Sequence, residues 1–578
     1  MPTQKNLNIA SIEDNLRIDS QIPCGELKWL EDSCRNTEDF WRSLKKTFDL
    51  LSPMHGTTSL FNRYNFYHDI ILRYQYNALP AILWYDSVSG FMEISYKELG
   101  NLAAAKAHAW VFHGVKAGES ICIIRSMGIE LAVDLITALK IGCTVSFLLP
   151  QGKSFLKKRL DTLKPQYIVI DKKHLLLVSA WSEIILPENL PEKTADFDHE
   201  RFFAYPSKQA VFRCFDPCWS AVEQEPIDIT SDSAYLCAMR DGMIALGLDP
   251  GQIYGAPGFH VLETMPGLLL AGLLCGATYL HLLPEQISEQ PEIVNKQSIK
   301  VFGVSKKVRD ILIKSSMDTK KLWETWFRNP AESVDMEQWQ MFIGKLKLEK
   351  SYAFNLKWSS GTGGCSLFSM RRKGMAHSNV LPLPGSFWAL GDLGGGDFEP
   401  PGDVGIYNLA PPGTNEDEKK ATSCIIAKKG QEWIFAGITT LSREGRSFPA
   451  DEILGILRNL GKRHSFFCSF ADVPLIDIAT GHLIVLLVFT EQEVGLQKKL
   501  LSDKIRTVIA EEIGDNFQPD KIEFFPFYPR LISNTEVDHV WCNSQYLAGA
   551  LFRRSRGEIF SLISQLKGCI LRAAACIN

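Results

Sequence analysis

The chain has 578 residues, with a hydrophobic content of 46% and a charged content of 22%, values typical of a globular protein with several domains. A formal net charge of −4 argues against a broad nucleic-acid-binding surface, and the longest apolar run, residues 267–280, is too short to span a bilayer. The polar N-terminus does not resemble a signal peptide, and the 14 cysteines show no paired zinc-ligand spacing. We therefore expect a cytoplasmic protein with reduced thiols, no zinc site, no nucleic-acid partner and no membrane span.

Short β-rich runs alternate with helical segments through the first half of the chain. The predicted elements, in chain order, are a strand at 80–86, a helix at 95–115, a strand at 119–126, a helix at 128–143, strands at 144–150 and 166–171, and a buried helix running into a strand at 267–280. Such alternation is typical of a mainly parallel sheet covered by helices. The sequence therefore predicts an α/β fold.

The second half of the chain predicts two further regions. A Gly- and Pro-rich stretch near 384–413 indicates a smaller β subdomain. The pattern then restarts, with a helix at 450–460, strands at 465–475 and 482–491, and a helix at 494–513, which together indicate a compact α+β lobe. The tail has an apolar helical face that we expect to dock on the protein itself, formed by Ile559, Leu562, Ile563, Leu566 and Ile570.

Four stretches of the chain form a recognisable series. They are "EDFWRSL" (38–44) with "LFNRYNFYHDIIL" (60–72), "ISYKELGNLAAAKAHAWVFHGVKAGESICII" (94–124), "LGLDPGQIYGAPGFHVLETMPGLLLAGLLCGATYL" (246–280), and "LPLPG" (381–385) with "EPPGDVGIYNLAPP" (399–412). In this order and spacing they resemble the adenylate-forming (AMP-binding) acyl-CoA synthetase superfamily, and most closely its acetyl-CoA and acetoacetyl-CoA synthetase branch. The resemblance implies a large N-terminal domain of helix-covered, mainly parallel sheets with a β subdomain, followed by a small α+β lobe. The expected domains are an N-terminal extension at 1–60, a large domain at 61–436, a small lobe at 437–545 and a helical tail at 546–578.

The stretch "SSGTGGCSLF" (359–368) has the small and hydroxyl residues of a phosphate-binding loop. In the family, however, the phosphate loop precedes the acyl-pocket segment, and this stretch follows it. By position it corresponds to the family's adenine-side motif, here Ser360, Gly361, Thr362 and Gly363, with Gly363 in place of the acidic residue. Thr362 matches the family threonine that contacts the adenylate phosphate, and an ordinary turn residue is the alternative interpretation.

The segment in the place of the family's phosphate loop is "FRCFDPCWSAVEQEPIDITSDSAYL" (212–236), and no glycine occurs between Gly152 and Gly242. A loop that wraps polyphosphate with backbone N–H groups needs glycines and a cation. This segment carries carboxylates instead, at Asp216, Glu223, Glu225 and Asp228. We expect their charge to repel ATP.

Other positions that the resemblance assigns to the nucleotide are also changed. Cys424 stands where the family has its ribose-binding aspartate, Ile438 replaces an arginine, and Glu536 replaces the C-terminal catalytic lysine, with one residue of slack in the alignment. A carboxylate cannot stabilise the negative charge that develops during adenylation. His260 matches a residue lining the acyl pocket, with a structural histidine as the alternative.

These substitutions favour an acyl-CoA synthetase homologue that has lost ATP binding and adenylation. It would be retained for binding or scaffolding, or for an ATP-independent acyl-related role, and no catalytic residue is predicted. The alternative is an active acyl-CoA or acyl-adenylate ligase with a rebuilt nucleotide site, which would use ATP, Mg²⁺ and CoA. The partners that this interpretation allows are a small carboxylate or acyl ligand, another protein, or a second copy of the chain in a homodimer.

Overall fold

The computed structural model divides the chain into two compact units. It describes residues 24–51, 62–76, 79–187, 201–215, 225–259, 266–317, 323–332, 336–391, 404–414, 416–430, 432–438, 442–443, 446–464, 466–474, 482–490, 494–532 and 537–555. The first unit comprises described residues within Met1–Pro150, Arg159–Trp219 and Gln224–Arg446. The second comprises described residues within Gln151–Lys158 and Ser447–Asn578.

The described α-helices are mostly short. They are α1 Cys24–Arg35, α2 Thr37–Leu50, α3 Tyr96–Phe112, α4 Ile129–Ile141, α5 Lys153–Leu163, α6 Ser231–Arg240, α7 Gly267–Leu274, α8 Pro284–Glu289, α9 Lys306–Lys314, α10 Met336–Lys345, α11 Ala450–His464, α12 Lys498–Glu512, α13 His539–Leu547 and α14 Ala550–Ser555. Segments of π-helix occur at His68–Leu72 and Asp241–Leu246, and the longest 3₁₀ segment is Lys172–Ile184.

The described strands group into several sheets. They are β1 Arg63–Tyr64, β2 Pro80–Asp86, β3 Gly90–Ser95, β4 Ser120–Ile124, β5 Thr144–Leu148, β6 Tyr167–Ile170, β7 Tyr205–Pro206, β8 Ala210–Cys214, β9 Ile227–Thr230, β10 Ile253–Gly255, β11 Thr278–His281, β12 Ile299–Gly303, β13 Thr325–Arg328, β14 Tyr352–Ser359, β15 Gly364–Phe368, β16 Arg372–Lys373, β17 Leu381–Pro382, β18 Trp388–Gly391, β19 Val404–Leu409, β20 Lys420–Lys429, β21 Glu432–Ile438, β22 Ser442–Arg443, β23 Arg446–Ser447, β24 Phe466–Pro474, β25 His482–Thr490 and β26 Lys521–Phe525.

Two mixed sheets form the centre of the first unit. One has the order β17-β15-β14-β13-β12-β10-β11-β2-β3, with β16 paired to β14, and the other has the order β6-β4-β5-β8-β9. In the first sheet the strands from β2 to β14 are parallel, and the strands towards both edges are antiparallel. In the second sheet β6, β4, β5 and β8 are parallel, and the edge strand β9 alone is antiparallel. The predicted mainly parallel α/β fold is therefore confirmed.

A separate antiparallel sheet with the order β18-β19-β20-β21 forms the predicted β subdomain of the first unit. The second unit contains the sheet β24-β25-β26, in which β25 pairs antiparallel with β24 and parallel with β26. Helices α11 and α13 pack against β24. Each unit thus has its own sheet and apolar core.

Local sequence explains the limits of the two helices that pack together beside β4. Ser95 caps α3 by accepting a hydrogen bond from the Glu98 N–H, and the Glu98 side chain accepts one from the Ser95 N–H. Gly142, with a φ of 99°, ends α4 in the left-handed conformation. The start of α3 and the end of α4 are therefore set by these capping residues.

The N-terminal helix α2 packs on the segment that carries the "LPLPG" motif. The Trp41 indole N–H donates a 3.0 Å hydrogen bond to the carbonyl of Gly385. Gly385 has a φ of +74°, and a Cβ there would lie 2.3 Å from Phe40. Two of the stretches that carry the family resemblance are thus in direct contact. Within the described part of the chain, no helix is long and apolar enough to cross a membrane.

We expect Gly242→Ala to lower the free energy of unfolding by about 1–3 kcal/mol, because the added methyl group overpacks a backbone contact. The measurement is urea unfolding, in which the midpoint should fall. A Cβ on Gly242 would lie 2.3 Å from the Ala271 carbonyl oxygen in α7 and 2.5 Å from Cys275 Sγ. The matched control is Gly344→Ala in α10, where the added Cβ meets no atom within 4 Å. This control should raise stability by about 0.5–1 kcal/mol. A Gly242→Ala protein as stable as the wild type would contradict the packing described.

Candidate functional site

The Gly-rich stretch singled out in the sequence is a tight connection between two neighbouring antiparallel strands. β14 ends at Ser359, Ser360–Thr362 form a 3₁₀ turn, and β15 begins at Gly364, which pairs with Ser359. Gly363 lies between the turn and β15 with a φ of +77°, a conformation that favours glycine. The segment is a closed hairpin turn.

Thr362 uses its polar groups within this turn and against α6. Its hydroxyl lies 3.0 Å from the Ser359 carbonyl oxygen and 3.2 Å from that of Gly364. Its carbonyl accepts hydrogen bonds from Ser233 Oγ at 3.0 Å and Cys237 Sγ at 3.4 Å. Because Thr362 is also only 6% exposed, its main role in this structure is to hold the turn onto α6.

Two glycines at the end of the turn, Gly363 and Gly364, lie too close to their neighbours to carry a side chain without movement. A Cβ on Gly363 would lie 2.8 Å from Ile229 Cγ2, and one on Gly364 would lie 2.5 Å from Asp241 Oδ2. At Gly361, the nearest atom would be Ile227 Cδ1 at 3.2 Å. An acidic side chain, which the resemblance leads us to expect at this position, therefore does not fit at Gly363 unless Ile229 moves.

A buried ion pair fixes α6 to β15 behind the turn. Arg240 Nη2 lies 2.8 Å from Asp241 Oδ1, and both side chains are 0% exposed. Asp241 accepts a 2.7 Å hydrogen bond from the Cys365 N–H, and Arg240 donates to the Cys365 carbonyl at 3.0 Å and to Ser386 Oγ at 3.1 Å. The sequence analysis missed this pair, although two adjacent charges inside the apolar run "AYLCAMRDGMIALGL" indicate a buried, paired site.

The thiols beside this pair are not poised as nucleophiles. Burial raises the pKa of Cys237 to about 12 and raises the pKa of Cys365 well above its ordinary value. A thiol must ionise to attack, so both groups stay protonated near neutral pH. Among the described residues, no group of three or more His, Cys, Asp or Glu side chains is placed to hold a metal ion.

The structure brings together two positions that the resemblance assigned to nucleotide contacts. Cys424 on β20 lies directly opposite Ile438 on β21 in the antiparallel pairing. Cys424 is 1% exposed and belongs to an apolar cluster that includes Tyr407 and Phe435. At these two positions, where the resemblance leads us to expect a carboxylate and an arginine, Cys424 lies in the core of the β subdomain and Ile438 packs against it.

The segment expected to replace the phosphate loop connects β8 to β9, which pair antiparallel. Asp228 lies opposite Arg213, which donates to its two carboxylate oxygens at 2.6 and 2.9 Å. The sequence analysis named Asp228 among the carboxylates expected to repel ATP, and the structure places a cation beside it. Because both side chains are more than a third exposed, the pair is worth little in stability but it balances the charge.

Several predicted positions lie outside the described residues. These are His260, Glu536, Asp216 and Glu223. Of Ser360, only the backbone is described. The remaining described candidates, Gly361, Thr362, Gly363 and Cys424, are all in the first unit.

The fold is that of the adenylate-forming ligases. The chain is similar to the amide bond synthetase McbA from Marinactinospora thermotolerans, with a TM-score of 0.65 and 12% identity over 83% of this chain and 99% of that one. It is also similar to a fatty acyl-adenylate ligase from L. pneumophila, with a TM-score of 0.57 and 13% identity over 84% and 96% of the two chains. A third similar structure is the RpMatB-BxBclM chimera B1, with a TM-score of 0.55 and 13% identity over 84% and 99%. No protein-family model matches the chain, and no curated protein sequence matches it.

Proposed function

We propose that this protein keeps the scaffold of an acyl-CoA ligase but does not adenylate carboxylates with ATP, and that it acts in binding or scaffolding or in an ATP-independent acyl-related role. The observation that carries the proposal is the state of Thr362. Its hydroxyl donates a hydrogen bond within the turn, its carbonyl accepts one from Ser233 in α6, and the residue is buried. A side chain already satisfied in this way would have to give up its hydrogen bonds to contact a phosphate.

The β subdomain supports the same proposal. Ribose recognition in this superfamily relies on a carboxylate, and Cys424 is a buried group that offers no comparable acceptor. Ile438 likewise has no charge to offer a phosphate. The strands are kept while the polar groups expected on them are replaced by apolar ones.

The similar structures define the activity that this chain is proposed to lack. The RpMatB-BxBclM chimera is an ATP-bound structure, and the L. pneumophila ligase is a complex with acyl adenylate and pyrophosphate. The relation to the acetyl-CoA and acetoacetyl-CoA branch rests on the four motif stretches, so a short carboxylate or acyl group is the ligand class to test first. A protein partner or a second copy of the chain is part of the same proposal.

The experiment is ATP–pyrophosphate exchange with a panel of short carboxylates, run on the wild type and on Glu536→Lys. We expect no exchange from either protein, because a restored lysine has nothing to stabilise if ATP does not bind first. An active acyl-CoA ligase run in parallel shows that the assay works.

A thermal shift with ATP and Mg²⁺ measures binding separately from chemistry. A ligand present at about 100 times its Kd stabilises a protein by about 2.7 kcal/mol, so ATP binding would give a measurable shift. Because we propose that ATP does not bind, we expect no shift at millimolar ATP. Exchange by the wild type would overturn the proposal in favour of an active ligase with a rebuilt site. Exchange by Glu536→Lys alone would place the whole defect at that residue.

A further inference from the structure

A pocket of about 510 Å³ lies in the first unit between α2, the start of α6 and the segments near Ser386 and Gly413. None of the described candidate positions discussed above lines it. Its volume is in the range of pockets that hold small organic molecules. It is therefore a binding site to be considered apart from the nucleotide positions.

Three aromatic side chains, from Trp41, Tyr64 and Phe387, line the pocket. The hydrogen bond from Trp41 to Gly385 fixes the indole, and the Tyr64 ring packs on Tyr235 with the ring centroids 4.8 Å apart. The pocket thus has preformed aromatic walls, which need little ordering when a ligand binds.

Asp232 supplies a largely buried carboxylate to the same pocket, with its side chain 11% exposed. Burial raises the pKa of this carboxyl. The nearest cation, Lys208 Nζ, is 3.9 Å away on a side chain that is 68% exposed and also donates to the Gly413 carbonyl. The Tyr64 hydroxyl lies beside the Asp232 carboxylate and interacts with it, and Asp232 lies in the first turn of α6. Among the described residues, however, its one cationic partner is the exposed Lys208, and no buried cation pairs with it.

The positive charges around the pocket are already balanced. Arg42, on its rim, pairs with Glu38 at 2.6 Å and with Asp39 at 3.0 Å. Arg240, which donates to Ser386 in the wall, pairs with Asp241. The lining therefore favours a cation over an anion. Aromatic rings beside a carboxylate are the arrangement by which proteins recognise organic ammonium groups.

We propose that this pocket binds a small organic ammonium ion, with its charged end against Asp232 and its carbon skeleton against Trp41, Tyr64 and Phe387. The proposal does not depend on the state of the nucleotide site. ATP binding would overturn the proposed function without affecting this inference. A failure to bind amines would overturn this inference without affecting the proposed function.

The test is calorimetric titration of the full-length protein with three probes of the same shape, benzylamine, benzyl alcohol and benzoate. We expect saturable binding of benzylamine with a Kd of about 1 mM or below, and binding at least about tenfold weaker for the neutral and anionic probes. No binding of benzylamine at about 10 mM, equal binding of benzyl alcohol, or a preference for benzoate would each overturn the proposal.

The assignment to this pocket is tested with Asp232→Asn, which we expect to weaken benzylamine binding by at least about tenfold. Phe387→Ala, at a half-buried position, should also weaken benzylamine binding. It replaces Asp232→Asn as the test variant if that protein does not fold. Glu289→Gln, which removes an exposed carboxylate that does not line this pocket, is the matched control and should bind as the wild type does. Unchanged benzylamine affinity in a folded Asp232→Asn protein, or in Phe387→Ala, would place the site elsewhere and overturn the assignment.

Discussion

Arg240→Met is expected to lower the free energy of unfolding by about 3–5 kcal/mol, because it leaves a carboxylate without its partner in a fully buried site. Asp241 would keep only the hydrogen bond from the Cys365 N–H. The measurement is urea unfolding followed by circular dichroism, with the variant and the wild type compared at the same pH. Loss of the hydrogen bonds to Cys365 and Ser386 adds to the effect.

Two variants show whether the loss comes from the uncompensated charge. The double variant Arg240→Met/Asp241→Asn removes both charges and should recover part of the lost stability. Arg213→Met breaks the exposed pair with Asp228 and should change stability by about 0–1 kcal/mol. If Arg240→Met costs no more than Arg213→Met, the buried pair does not hold α6 to β15 in the way described.

Acidification from pH 7 to about pH 4.5 is expected to destabilise the first unit through the buried His377 and the partly buried His281, by up to about 2.7 kcal/mol for each. Burial lowers the pKa of His377 to about 3, helped by the nearby Arg372 and Arg328, and burial lowers the pKa of His281 to about 4. Both values lie below the pKa of about 6.5 in an unfolded chain. The unfolded state therefore takes up protons first, and stability is lost as the pH falls below about 6.5 toward the folded values.

The His377→Gln variant isolates one of these contributions. Between the two pH values we expect the free energy of unfolding to fall less for the variant than for the wild type, because the variant lacks one group that the unfolded state protonates. The difference between the two decreases should be up to about 2.7 kcal/mol. The readout is the change in stability with pH for each protein, not the absolute stability, since the substitution itself alters packing. Identical pH dependence in the two proteins would mean that His377 is not held neutral.

The sheets could be predicted because their signals are local. The strand at 80–86 coincides with β2, and the helix expected at 128–143 corresponds to α4, whose end is set by Gly142. Apolar periodicity and capping residues act over a few positions, so one sequence is enough to find them. The turn at Ser360–Thr362 was likewise visible as a cluster of small residues.

The candidate site was less predictable because its contacts join distant parts of the chain. The pairing of Arg213 with Asp228 depends on the register of β8 and β9, and the hydrogen bonds from Ser233 and Cys237 to Thr362 span more than a hundred residues. The neighbourhood of Tyr64 and Asp232 is formed by segments equally far apart in sequence. Which charged groups pair with one another therefore could not be read from their order along the chain.

The crowding around Gly363 limits which residues this position can accept. A side chain there would need both a left-handed backbone, at a φ of +77°, and space now occupied by Ile229. A larger residue at position 363 therefore calls for a smaller one at position 229, because the two side chains would share one space. A mutant library that varies either position alone will contain mostly destabilised proteins, so the two positions are best varied as a pair.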